Sequence, residues 1–217
     1  MRIRKLKGLA VTLLLMAGLT IIFIVDTLFL APEGGELFSL EHFVWGDKSG
    51  ALTRTLMLST EKVYHWQLWR LMTSMILHAG ILHLVCNLLV FLTVGFVLEP
   101  RIGHWKFLAV FLCGGLLSAL CMVFIFNIEA GLGASPAISA AFGAFAVLLI
   151  KDFKNLKKEI KWFQWVFLAV SVVFYIYGDG TAVTRFEHLT GFLGGIVLGI
   201  IFIVLPAKNE KAETESL

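Results

Sequence analysis

Four polar side chains of this sequence, His83, Asn87, Ser135 and His188, lie within or open stretches that are otherwise apolar. A serine hydroxyl beside an imidazole is the smallest nucleophile–base pair, because the imidazole takes the proton as the hydroxyl attacks. His83 and Asn87 are i and i+4, so on a helix they share one face. Two such side chains can donate hydrogen bonds to the oxyanion that forms when a nucleophile adds to a carbonyl. The set points to acyl transfer, with Ser135 as nucleophile, His188 as base, and His83 and Asn87 as donors. Each residue alone has a plainer use. A membrane serine bonds back to its own helix, and a lone histidine sits at an interface. The chemistry rests on the conjunction.

Composition says what must hold these groups. Of the 217 residues, 59% are hydrophobic and 15% charged, and the mean hydropathy is +0.88. A soluble domain is about half apolar and about a quarter charged, so the bilayer must be the solvent here. The net charge of +3 comes from local basic clusters, which gives no extended face for nucleic acid. Cys86, Cys113 and Cys121 fall inside apolar runs and read as packing residues, not as a disulfide framework.

The pattern predicts an all-α, polytopic membrane protein. Six apolar stretches are long enough to span, at roughly 17–25 residues each. They cover 8–30, 82–98, 107–127, 135–150, 162–178 and 188–205. The first follows Arg2, Arg4, Lys5 and Lys7 but is too long for a signal-peptide core and has no A-x-A site after it, so it reads as an uncleaved helix. Residues 1–205 then form one membrane domain, and 206–217 a polar tail. The first connection is long, and "ELFSLEHFVWGD" within it has Phe38, Leu40, Phe43 and Val44 spaced to lie in the interface.

Lys and Arg set the orientation. With the N-terminus inside, the inner segments hold thirteen: Arg2, Arg4, Lys5, Lys7, Arg101, Lys106, Lys151, Lys154, Lys157, Lys158, Lys161, Lys208 and Lys211. The outer segments hold five: Lys48, Arg54, Lys62, Arg70 and Arg185. Both termini are therefore expected in the cytoplasm, with the chain in the plasma (inner) membrane. Trp66, Trp105 and Trp162 fall at the expected interfaces. The even-numbered spans then all start on the outer side, which puts His83, Asn87, Ser135 and His188 at a similar depth. Ser135, Ser139 and Gly143 repeat every fourth residue on the fourth span, and Gly191, Gly195 and Gly199 do so on the sixth. Small stripes let membrane helices approach closely, and such a contact would bring Ser135 to His188. His78 and His83 are five apart, poor spacing for one helical face, and no carboxylate or thiolate joins them as a metal ligand. A transporter would show inverted repeats and broken midplane helices, and the sequence has neither.

The chain resembles the rhomboid intramembrane serine proteases from about Trp69 to Gly199. "LWRLMTSMILHAGILHLVCNLL" is similar to the family's W-R segment followed by H-x-x-x-x-H-x-x-x-N, giving Trp69, Arg70, His78, His83 and Asn87. "LEPRIG" resembles E-x-x-x-G, giving Glu99 and Gly103. "GASP" sits where the family has G-x-S-G, giving Gly133 and Ser135, and "EHLTGFLGG" where it has a histidine followed by small residues, giving His188 and Gly191. The resemblance implies a six-helix bundle with a cavity opening outward and a Ser135–His188 dyad without an acid. It implies an oxyanion hole of His83, Asn87 and the Ser135 N–H, with Arg70 and Glu99 as structural ties. It implies single-span membrane proteins as substrates, cut near the outer surface, and no cofactor. Two residues depart from the family: Pro136 replaces the glycine after the serine, and Ser139 stands where an aromatic ring often packs on the histidine. A catalytically inactive relative that binds membrane clients is the alternative. Proline suits the first helical turn and pushes the preceding residue out of the helix, so Ser135 is expected at the N-cap.

Overall fold

The computed structural model describes residues 8–30, 40–46, 50–177 and 181–205. Seven of the basic residues counted above (Arg2, Arg4, Lys5, Lys7, Lys48, Lys208 and Lys211), the 206–217 tail and the ends of the "ELFSLEHFVWGD" segment lie outside them.

Helices follow wherever apolar residues run on without breakers, since a backbone in hydrocarbon must satisfy every N–H and C=O within its own segment. The long ones are α1 (Ala10–Leu28), then, after the shorter helices of the first connection, α6 (Ile81–Ile102), α7 (His104–Cys121), α8 (Ser135–Glu159), α9 (Trp162–Tyr177) and α10 (Ala182–Gly199). The connection itself holds α2 (Leu40–Trp45), α3 (Ala51–Leu56), α4 (Thr60–Tyr64) and α5 (Arg70–Thr73). Single wider π turns extend α7 through Phe126 and α10 through Val204. Among the described residues five helices are long and apolar enough to cross a membrane: α1, α6, α7 with its extension, α8, and α10 with its extension. The apolar part of α9 is shorter, Trp162–Val173. The chain is thus a polytopic helical membrane bundle. Among the described residues the one β feature is an isolated antiparallel bridge between Leu58 and Gly131.

Three differences from the expected element ends bear on the site. The sixth stretch was expected to begin at His188, but α10 begins at Ala182. Thr181 caps it, its Oγ1 accepting from Thr184 N at 3.1 Å, so His188 is the seventh helical residue. The fourth was expected to end at Ile150, but α8 continues to Glu159 past a kink at Asp152 (φ −130°, ψ 36°). Its polar last turns stay helical because Leu156, and Ile160 just beyond, are buried. Ser135 was expected at the N-cap, yet Ala134 holds that place and Ser135 is the first helical residue.

The core sits where α6, α7, α8 and α10 meet. The most extensive contact joins α8 to α10, and its cause is the small-residue stripes. A Cβ at Gly191 would run into the Pro136 carbonyl, one at Gly195 into the Ala140 carbonyl, and one at Gly143 into the Phe192 carbonyl. The two backbones are therefore in direct contact, which no larger residue permits. Large apolar side chains such as Leu14, Ile21, Phe124, Ile150 and Val170 face outward, as a bilayer-solvated surface requires.

Candidate active site

The close approach of α8 and α10 places Ser135 Oγ 2.9 Å from His188 Nε2 in a buried hydrogen bond. With Nε2 unprotonated, the hydroxyl donates and is polarised toward attack. Ser135 is 8% exposed and His188 7%, so the pair works away from bulk water, where its electrostatics are less screened.

His83 reaches the same spot from α6. A Cβ built on Gly133 would lie 3.0 Å from His83 Cε1, 3.3 Å from His83 Nε2 and 3.7 Å from Ser135 Oγ. Gly133 has φ +126°, so the loop takes a conformation open to glycine and brings its backbone close to the imidazole and the hydroxyl. Gly133 N donates to the Ser74 carbonyl at 2.9 Å, which fixes that loop against the first connection. The Leu58–Gly131 bridge, at 2.8 and 2.9 Å, ties it a second time. Asn87 lies one turn along α6 from His83 and is buried. Ser139, one turn along α8 from Ser135, is also buried.

The remaining motif residues hold the frame. Buried Arg70 donates from Nη1 to the Met57 carbonyl at 2.6 Å and from Nε to Gln67 Oε1 at 2.7 Å. Burial lowers its pKa from the usual arginine value. Trp69, just before it, is half-exposed. Glu99 is fully buried and accepts from Val11 N and Thr12 N, each at 2.8 Å, from Thr12 Oγ1, and from His104 Nδ1 at 2.6 Å. It thus pins the start of α1 to the end of α6. Gly103 joins α6 to α7, its N–H bonding the Glu99 carbonyl at 2.9 Å. His78 packs edge-on to His83, ring centroids 5.2 Å apart. Burial, and secondarily the neighbouring His83, hold its pKa down to about 3.

The rhomboid domain family model matches residues 65–205, which includes Trp69, Arg70, His78, His83, Asn87, Glu99, Gly103, Gly133, Ser135, His188 and Gly191. The chain belongs to the rhomboid family. Over 187 residues it is 30% identical to RHOMBOID-like protein 7 of Arabidopsis thaliana, covering 83% of this chain and 59% of that one. Over 150 residues it is 33% identical to Rhomboid-like protease 3 of Toxoplasma gondii, covering 67% and 57%. Over 131 residues it is 30% identical to Rhomboid protease GluP of Bacillus subtilis, covering 60% and 24%. The chain therefore spans less than two thirds of the length of these relatives.

Two supports of this rhomboid's site escape a sequence reading. Asp26, near the C-terminal end of α1, accepts from Leu52 N at 2.8 Å, Thr53 N at 3.2 Å and Thr53 Oγ1 at 2.6 Å. It serves α3 as an N-terminal cap delivered from another helix. A lone carboxylate near the end of an apolar span was the available signal. Ser118 of α7, fully buried, donates to the Glu187 carbonyl at 2.8 Å and lies 3.0 Å from Thr190 Oγ1. That bond holds the turn of α10 next to His188, and one serine in an apolar helix gave no hint of it.

Proposed function

We propose that this chain is an intramembrane serine endopeptidase in which Ser135 and His188 form the catalytic dyad. The observation that carries the proposal is the buried 2.9 Å Ser135–His188 hydrogen bond in a rhomboid bundle whose relatives include named proteases. Ser135 Oγ attacks the scissile carbonyl while His188 takes its proton. His188 then returns the proton to the leaving amine, and a water, deprotonated by the same imidazole, releases the acyl group. His83, Asn87 and the Ser135 N–H stabilise the oxyanion. That N–H belongs to the first turn of α8, so it has no partner within the helix. The N-terminal end of a long helix also favours negative charge. Pro136 removes one first-turn donor but leaves the Ser135 N–H in place.

The substrate class we assign is single-span membrane proteins, cut near the outer surface. The bundle's lipid-facing exterior supports this, and so does the placement of the dyad near one end of it. We assign both termini to the cytoplasmic side of the plasma (inner) membrane, on the basic asymmetry.

The test is cleavage of a single-span reporter in proteoliposomes. Ser135→Ala and His188→Ala should each abolish cleavage while the melting profile is kept. The double variant should be no worse than either single, because members of a catalytic unit are non-additive. Full activity in either single variant refutes the dyad, and a wild type that binds the reporter without cutting it favours the inactive relative.

A further inference from the structure

A crevice of about 320 Å³ is lined by residues of α8, α9 and α10 and reaches His188. Its lips are Val172 on α9 and Leu189 on α10, 43% and 51% exposed. The less exposed Ser139 and Phe142 of α8 form its floor, and Arg185, His188 and Phe192 of α10 also line it. Ser139 is only 5% exposed, so the crevice leads from a lipid-facing surface into the buried interior. The volume falls in the range of ligand pockets, about 300–1,000 Å³.

The lining chooses the occupant. Among the described lining residues, apart from Arg185, the polar groups are one hydroxyl and the imidazole; the rest is phenyl and aliphatic carbon. Water avoids such a cavity, because it needs two to four polar partners. An inserted stretch of extended peptide would bring backbone N–H and C=O groups, each of which must be satisfied away from water, and the described lining has no row of donors and acceptors for them; a helix satisfies its own but, at about 10–12 Å across, is too wide for this volume. A molecule with no polar groups along its length fits without penalty. The crevice opens on its sides to hydrocarbon, where that molecule is in excess.

We propose that the α9–α10 crevice is a binding site for a lipid acyl chain, which packs against His188. The site itself depends only on the membrane setting. Its consequence, that the acyl chain buttresses the imidazole of the dyad, rests on the protease reading above.

The experiment uses the full chain in vesicles of phosphatidylethanolamine and phosphatidylglycerol containing a phospholipid with a mid-chain diazirine. After irradiation, adducts are located by peptide mass spectrometry. No turnover is needed, so the outcome is independent of whether the protein proves to be a protease. Adducts are expected on the floor residues Ser139 and Phe142, as well as on exposed positions such as Leu13 and Leu14 of α1. Val172→Trp, at a lipid-facing lip, should remove the floor adducts and leave those on α1. Ser139→Leu, which fills the crevice from below, should do the same. Adducts confined to exposed positions would overturn the proposal. So would floor labelling by a diazirine carried on a bound substrate helix in place of the lipid, which would make the crevice a side-chain subsite.

Discussion

His78 shows how far a single side chain can be pushed by its surroundings. It is buried in the connection before α6, and neither ring nitrogen meets a hydrogen-bond partner among the described residues. Its pKa is held near 3, first by burial and then by His83, whereas an unfolded histidine titrates at about 6.5. In the window between these values the unfolded chain binds the extra proton. Stability is therefore complete above the unfolded pKa and falls as pH drops through the window, by up to about 1.4 kcal/mol per pH unit. Reversible unfolding measured from pH 7 to pH 5 should show this slope in the wild type. His78→Phe should flatten it. Parallel curves would mean that His78 is not the group being charged. The resemblance placed His78 in a motif, but its neutrality comes from burial, which spacing along the chain does not reveal.

At the scale of elements, the α8–α10 contact decides whether Ser135 and His188 meet. Gly195 has the Ala140 backbone directly against it, and a backbone wall cannot rotate aside as a side chain can. Gly195→Ala should therefore spread the two helices, destabilising the fold by about 1–3 kcal/mol and lowering kcat with little change in KM. Unchanged kcat in a folded Gly195→Ala variant would show that the dyad tolerates the spread. This contact was legible in the sequence because small residues at every fourth position mark where membrane helices approach. Helix ends were less legible. Hydropathy follows the edge of the bilayer, whereas α8 and α10 follow their own hydrogen bonds and caps, so α8 runs nine residues past Ile150 and α10 starts six before His188. The Asp26 cap and the Ser118 bond were hidden for another reason. Each joins residues far apart in the chain, and neither leaves a local periodic trace.

At the scale of the molecule, charge sorts to two ends. Arg101, Lys106, Lys151 and the basic residues from Lys154 to Lys161 lie near the joined ends of α6 and α8, where Arg101 also pairs with Glu159 at 2.6 Å. Arg54, Lys62, Arg70 and Arg185 belong to the end that carries the Ser135 loop, which bonds the first connection through Leu58, Thr60 and Ser74. Single cysteines at Leu132 and Asn155 test the orientation. An impermeant thiol reagent added outside whole cells should label the Leu132→Cys protein and spare the Asn155→Cys protein; the reverse would invert the topology. The chemistry is tested most directly by a fluorophosphonate, which forms a stable adduct only with a serine whose hydroxyl is activated. Incubated with the purified protein, it should add one mass increment located on Ser135 by peptide mass spectrometry. His188→Ala should slow labelling by on the order of 10²-fold or more, the contribution expected of a general base. A wild-type protein that stays unlabelled, or labelling that proceeds equally well without His188, would contradict the account.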